Sequence, residues 1–73
     1  MNSDIIAAEV LKIALEEAKA HSKEIVGMDA KYYWNPKRGG AHVIIAENGE
    51  KLAATSSVSY DRLLAAFADG RRN

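Results

Sequence analysis

The chain has 73 residues, of which 48% are hydrophobic, with ten basic and ten acidic side chains and no cysteine. This composition predicts one folded domain over residues 1–73 with a small core, and it excludes disulfides and zinc sites built on cysteine. Because the charges cancel, only a local patch could attract a polyanion. The N-terminal stretch lacks the run of roughly 20 apolar residues that a membrane span needs, so we expect a cytoplasmic protein.

The first predicted element is a helix over residues 4–21, with Ser3 as its N-cap. Apolar side chains cover more than half of its circumference, a wider arc than one sheet can cover. We therefore expect one side of the helix to pack on the protein's own sheet. The other side, with Leu11 and Leu15, is expected to contact a partner protein or a second copy of the chain.

Three strands are predicted next. Apolar residues alternate from Ile25 to Trp34, which is typical of a single strand. Asn48-Gly49 favours a two-residue type I′ hairpin turn between the second and third strands, and this register places Ile45 opposite Leu52.

The outer face of this predicted sheet carries a mixed set of side chains, including Tyr33 and Ile44. An exposed apolar patch of this kind usually marks an interaction site, although scattered exposed apolar residues are equally common on a small protein. Tyr33 and Ile44 therefore join Leu11 and Leu15 as candidate partner-binding residues.

A second helix is predicted after Ser59, which suits an N-cap, and Gly70 suits a left-handed C-terminal cap. Its apolar stripe includes Leu63 and Phe67. The predicted order is α-β-β-β-α. This order favours an α+β fold in which a three-stranded antiparallel meander carries both helices on one face.

The stretch "YYWNPKRGG" combines aromatic, basic and glycine residues between the first two predicted strands. Most of this composition is typical of a hairpin loop. The alternative is a loop that binds single-stranded nucleic acid by stacking on Tyr33 and pairing phosphates with Lys37 and Arg38. That alternative needs further cations, which Arg71 and Arg72 would supply if the C-terminus reached this loop.

No catalytic or cofactor motif is found in the sequence. Glu17 and His21 have the i,i+4 spacing of two metal ligands, but a third would have to come from Asp29 or His42. The serines lack a nucleophile elbow and an orienting acid. We therefore expect neither an enzyme nor a metal site nor a bound cofactor.

From Trp34 onward, the segment "GGAHVIIAENGEKLAATSSVSYDRLLAAF" resembles the C-terminal half of YrhB-like bacterial immunity proteins. The shared layout is a strand ending in tryptophan, a Gly-x-x-hydrophobic strand, an acidic-Gly turn, a short third strand and a closing helix with an aromatic residue. The resemblance covers about half of the chain. It implies a small bacterial α+β protein that acts by binding another protein and contributes no catalytic residue. The leading hypothesis is thus a non-enzymatic interaction module, expected to form a homodimer, with single-stranded nucleic-acid binding as the alternative.

Overall fold

A computed structural model describes residues 3–37 and 40–72. The elements in chain order are the helices and strands α1 (Ser3–Leu11), α2 (Leu15–Ala20), β1 (Ser22–Ile25), β2 (Ala30–Trp34), β3 (His42–Ala46), β4 (Lys51–Ala54) and α3 (Tyr60–Ala68). The strands form one antiparallel sheet in the order β1-β2-β3-β4. The predicted α+β class and antiparallel meander are confirmed, but the sheet has four strands in place of three.

The helices lie on opposite faces of the sheet, so the prediction that they share one face is wrong. On β3, Val43 and Ile45 pack in the core cluster of α1 and α2, whereas Ile44 packs with Leu63 and Phe67 of α3. Since successive side chains of a strand point to opposite faces, β3 is buried on both sides. A continuous apolar run such as "VII" is typical of such a doubly covered strand.

The predicted first helix is broken in two at Lys12, whose φ of 57° is left-handed. The Ile13 N–H donates to the Ala8 carbonyl at 3.1 Å, which is the six-to-one bond of a Schellman cap. The chain then turns and starts α2. This break allows Leu11 of α1 and Ala18 of α2 to pack in the same core cluster, 4% and 0% exposed.

The first predicted strand is a hairpin of two strands, β1 and β2. The Met28 N–H donates to the Ile25 carbonyl at 3.3 Å, and Gly27 between them has a φ of 85°. These features define a type II turn, which requires a residue with positive φ at its third position. After a further left-handed residue, Asp29, the chain returns with Ala30 opposite Ile25.

The β3–β4 hairpin has a three-residue loop in place of the predicted two-residue one. Gly49 N–H donates to the Ala46 carbonyl at 2.9 Å, and Ala46 N–H donates to the Glu50 carbonyl at 2.7 Å. A loop of this length is built on a type I turn followed by a left-handed residue, here Gly49 with a φ of 95°. The extra residue shifts the register by one, so Leu52 pairs with Ile44 and shares its face.

The closing helix α3 agrees with its prediction. The Ser59 hydroxyl accepts a hydrogen bond from the Arg62 N–H at 3.3 Å, which confirms Ser59 as N-cap. Leu63 and Phe67 are buried on the sheet, and Gly70 ends the helix with a φ of 97°. Across the described parts of the chain, no helix has the length and apolar character needed to cross a bilayer.

Candidate interaction surfaces

The structure places three of the four predicted partner-binding residues in the interior. Leu11 is 4% exposed, and Tyr33 and Ile44 are 0% exposed. The prediction that Tyr33 and Ile44 lie on an open sheet face is therefore wrong, because helices cover both faces. Leu15, at 38% exposure, is the predicted contact residue that remains at the surface.

The predicted nucleic-acid residues are not brought together. Arg72 lies beside the β3–β4 turn, with its Nε 3.5 Å from a Glu50 carboxylate oxygen and its guanidinium 3.7 Å from the centre of the Phe67 ring. Lys37 belongs to the loop between β2 and β3, at the other end of β3. Arg71 is exposed and, as the neighbour of Arg72 in the chain, is equally far from Lys37 in the β2–β3 loop.

The described residues of the loop after β2 are linked by hydrogen bonds within the loop. Asn35 N–H donates to the Ala41 carbonyl at 3.0 Å, Lys37 N–H donates to the Asn35 side-chain oxygen at 3.0 Å, and Gly40 N–H donates to the Lys37 carbonyl at 2.9 Å. Arg38 lies outside the described residues. The Lys37 side chain is exposed, so this loop presents a cation next to the end of β2.

Tyr33 has a role that the sequence did not indicate. Its hydroxyl donates to the Asp4 carboxylate and accepts from the Ser3 hydroxyl at 2.7 Å, and Lys31 Nζ is 3.6 Å from the same carboxylate. The hydrogen bond from Tyr33, followed by the charge of Lys31, lowers the pKa of Asp4. Burial and the neighbouring carboxylate raise the pKa of Tyr33 to about 12. This cluster joins α1 to β2.

A cleft of about 430 Å³ opens where the start of α1 meets the two turns at one end of the sheet. These turns are joined by a hydrogen bond of 2.8 Å from Glu47 N–H to the Asp29 carbonyl. The residues that line it include the apolar Ile6, Ile25, Val26 and Ile45, of which Ile25 and Ile45 are buried, and the acidic Glu24, Asp29 and Glu47. We call it the acidic cleft.

The acidic cleft presents both apolar surface and unbalanced charge. Val26 is 96% exposed, the highest value among the large apolar side chains that lie at the surface of the described chain. Lys31 also lines the cleft, but it already faces the Asp4 carboxylate. The three lining carboxylates form no ion pair with a described residue. The cleft is therefore suited to a ligand that is both apolar and cationic.

A second depression, of about 260 Å³, lies at the opposite end of the sheet, on the face that α3 covers in part. Its lining includes the rings of Tyr32, Trp34, His42 and Tyr60, and we call it the aromatic groove. Tyr32 stacks on Trp34 with ring centres 5.6 Å apart and contacts Tyr60 edge-on at 4.5 Å. The sequence placed Tyr32 and Trp34 on one face correctly, but it could not show that α3 leaves their rings partly exposed.

His42 is the polar centre of the aromatic groove. It is only 6% exposed, and its Nδ1 is 2.8 Å from the Tyr32 hydroxyl. Its Nε2 is buried and has no hydrogen-bond partner among the described residues. Such atoms are rare, because a buried polar atom left unpaired costs about 1–3 kcal/mol, and each one calls for an explanation.

Glu17 and His21, which the sequence offered as two metal ligands, contact each other and a neighbouring ring instead. His21 Nδ1 is 2.9 Å from the backbone carbonyl of Glu17, and the His21 ring meets the Trp34 ring edge-on at 5.7 Å. Among the described residues, no three His, Asp or Glu side chains converge in a way that would hold a metal ion.

Comparison with protein-family models, curated protein sequences and solved structures finds no match to this chain. The resemblance to YrhB-like immunity proteins therefore stays a prediction.

Proposed function

We propose that this protein is a small interaction module that acts by binding another protein, and that the acidic cleft is its binding surface. The observation that carries the proposal is Val26, an apolar side chain 96% exposed at a cleft lined by both apolar and acidic residues. Exposed apolar surface rimmed by polar residues is typical of a protein-binding site.

The charges of the acidic cleft define the partner that fits it. The chain as a whole is neutral, yet Glu24, Asp29 and Glu47 gather at this end of the sheet while Lys31 is engaged with Asp4. The local field therefore favours a cationic ligand. We propose a partner segment in which a lysine or arginine stands next to aliphatic residues, with the aliphatic part against Val26 and the cation among the carboxylates.

A selection from a random peptide library displayed on phage tests this proposal. We expect the wild-type protein to enrich peptides that combine Lys or Arg with adjacent aliphatic residues, and Val26→Asp to lose them. In amide NMR spectra, a selected peptide should shift the signals of residues 24–31 and 45–49. Lys19→Ala, which changes an exposed cation of α2, serves as a control and should bind like wild type. Enriched peptides that are acidic, or that bind Val26→Asp equally well, would contradict the proposal.

A further inference from the structure

We infer that the aromatic groove is a second binding site, and that its ligand is a nucleobase that carries a phosphate. The groove lies at the end of the sheet away from the acidic cleft, because its lining includes Asn35 and Ala41 of the β2–β3 loop. It is therefore independent of the proposed protein-binding function. The rings, the buried histidine and the positive groups around the groove each contribute to the inference.

The rings supply a stacking surface for a planar ligand. Trp34, Tyr32 and Tyr60 are all partly exposed, and their centres are 5.6 Å and 4.5 Å apart in succession. Exposed aromatic rings bind unpaired bases because every base has a flat π-face. Tyr32 and Trp34 stack on each other and Lys23 lies over one face of Tyr60, so a base would stack on the ring surface that remains exposed. Among the described residues that line the groove, none carries a carboxylate, in contrast to the acidic cleft.

His42 supplies a hydrogen-bonding group within the same groove. If the Tyr32 hydroxyl donates to Nδ1, the Nε2 atom carries a proton and is a donor; in the other tautomer Nε2 is an acceptor. Nucleobases carry donors and acceptors at their edges, so either tautomer can pair with one. His42 lines the groove together with the exposed residues Ser56 and Ser59, and a contact between Nε2 and such a ligand requires the groove to open because this atom is buried.

A helix N-terminus and two lysines lie near the residues that line the groove. The N-terminus of the nine-residue helix α3 faces it through Ser59 and Tyr60, and the first N–H groups of a helix have no intrahelical partner. Lys23 Nζ lies 4.4 Å from the centre of the Tyr60 ring, and Lys37 is bonded through its backbone to Asn35 of the lining. The Asp61 carboxylate, in the first turn of α3, opposes this charge.

Trp34 is the chain's single tryptophan, so its fluorescence reports directly on the groove. We would titrate the full protein at low salt with a short oligothymidylate and, separately, with thymidine monophosphate. Saturable quenching is expected, because a stacked base quenches the indole. Equal affinity for the two probes would assign the groove to a free nucleotide, whereas tighter binding of the oligonucleotide would assign it to single-stranded nucleic acid.

Variants distinguish binding in the groove from nonspecific attraction between the probe and the charges of the protein. Tyr60→Ala should weaken binding about tenfold through loss of stacking, and Lys37→Ala should reduce the slope of log K against log salt by about one for the oligonucleotide. Lys19→Ala changes a residue on the opposite face of the sheet and should leave both the binding affinity and the salt slope unchanged. If Tyr60→Ala fails to fold by circular dichroism, Asp61→Asn replaces it and should tighten binding by about twofold.

The inference is overturned if neither nucleotide probe quenches Trp34 saturably. It is also overturned if N-acetyltyrosinamide binds and the nucleotides do not, since the groove would then receive an aromatic side chain of a protein. Quenching that persists unchanged in Tyr60→Ala and in Lys37→Ala would contradict it as well. Each of these results leaves the acidic cleft and its peptide selection untouched.

Discussion

The hydroxyl of Tyr33, a side chain buried in the middle of the sheet, donates a hydrogen bond to the carboxylate of Asp4 in the first turn of α1. The same carboxylate stands near the N-terminus of the helix, where negative charge is stabilising, and near the ammonium group of Lys31. One buried tyrosine thus connects the sheet to the helix that borders the acidic cleft.

Removing this hydroxyl should destabilise the fold. We expect Tyr33→Phe to lower the free energy of unfolding by about 1–2 kcal/mol, because the Asp4 carboxylate loses a partner in a partly buried site. Urea denaturation at neutral pH measures the change. Tyr60→Phe removes a hydroxyl that bonds no described residue, and it should change stability by less than about 0.5 kcal/mol. Equal effects of the two variants would contradict the assignment.

The lowered pKa of Asp4 predicts a loss of stability in acid. A carboxylate whose folded pKa lies below its ordinary value of 3.8 stabilises the folded state above that value. This contribution is lost as the pH falls through the folded pKa. The difference in unfolding free energy between wild type and Asp4→Asn should therefore be largest at neutral pH and shrink below about pH 4. A difference that stays constant from pH 7 to pH 2 would show that the contribution of Asp4 to stability does not depend on its ionisation.

The raised pKa of Tyr33 predicts the opposite behaviour in alkali. Because its folded pKa of about 12 lies above the ordinary value of 10.0, the stabilisation is complete below pH 10 and is lost as the pH rises towards 12. Absorbance of tyrosinate near 295 nm during an alkaline titration should show one late step, which Tyr33→Phe lacks. Burial also raises the pKa of Tyr32. The titration of Tyr33→Phe is therefore compared with that of Tyr32→Phe, which should keep the late step. If Tyr33→Phe keeps the late step, that step belongs to another tyrosine.

The parts of the fold that local chemistry determines could be predicted from the sequence. Ser59 caps α3, Gly70 ends it, and Tyr32 and Trp34 share a face, as their residue types and spacing indicated. These features depend on neighbours within a few positions along the chain. The antiparallel order of the last strands followed in the same way from the turn at Gly49.

Other features depend on tertiary packing and were therefore missed. Lys12 takes a left-handed conformation without being glycine or asparagine, and the break lets both Leu11 and Ala18 be buried in one core cluster. Gly27 did offer a signal, since an isolated glycine in a strand pattern often marks a turn or bulge. That turn reset the alternation, so Ile25 and Ala30 share a face. Tyr33 points away from Tyr32 as the spacing indicated, but it is buried because α1 and α2 cover its face of the sheet.

The break at Lys12 offers a direct test of backbone strain. A lysine at φ 57° has the left-handed conformation that glycine adopts without a steric cost. We expect Lys12→Gly to raise the free energy of unfolding by about 0.5–1 kcal/mol in urea denaturation. Glu9→Gly, within α1 and also exposed, should lower it by about 1 kcal/mol. Destabilisation by both variants would show that the chain does not hold position 12 in the left-handed region.

Leu11 and Leu15, predicted together as contact residues, should now behave differently. Leu11→Ala should lower the free energy of unfolding by about 2–5 kcal/mol because its side chain is 4% exposed in the core. Leu15→Glu should change stability by less than about 0.5 kcal/mol, since Leu15 is 38% exposed at the start of α2. We further expect Leu15→Glu to reduce any concentration-dependent association seen by light scattering coupled to size exclusion. Unfolding of Leu15→Glu, or a dimer that forms as before, would remove Leu15 from a self-interface and leave the acidic cleft as the candidate surface for protein partners.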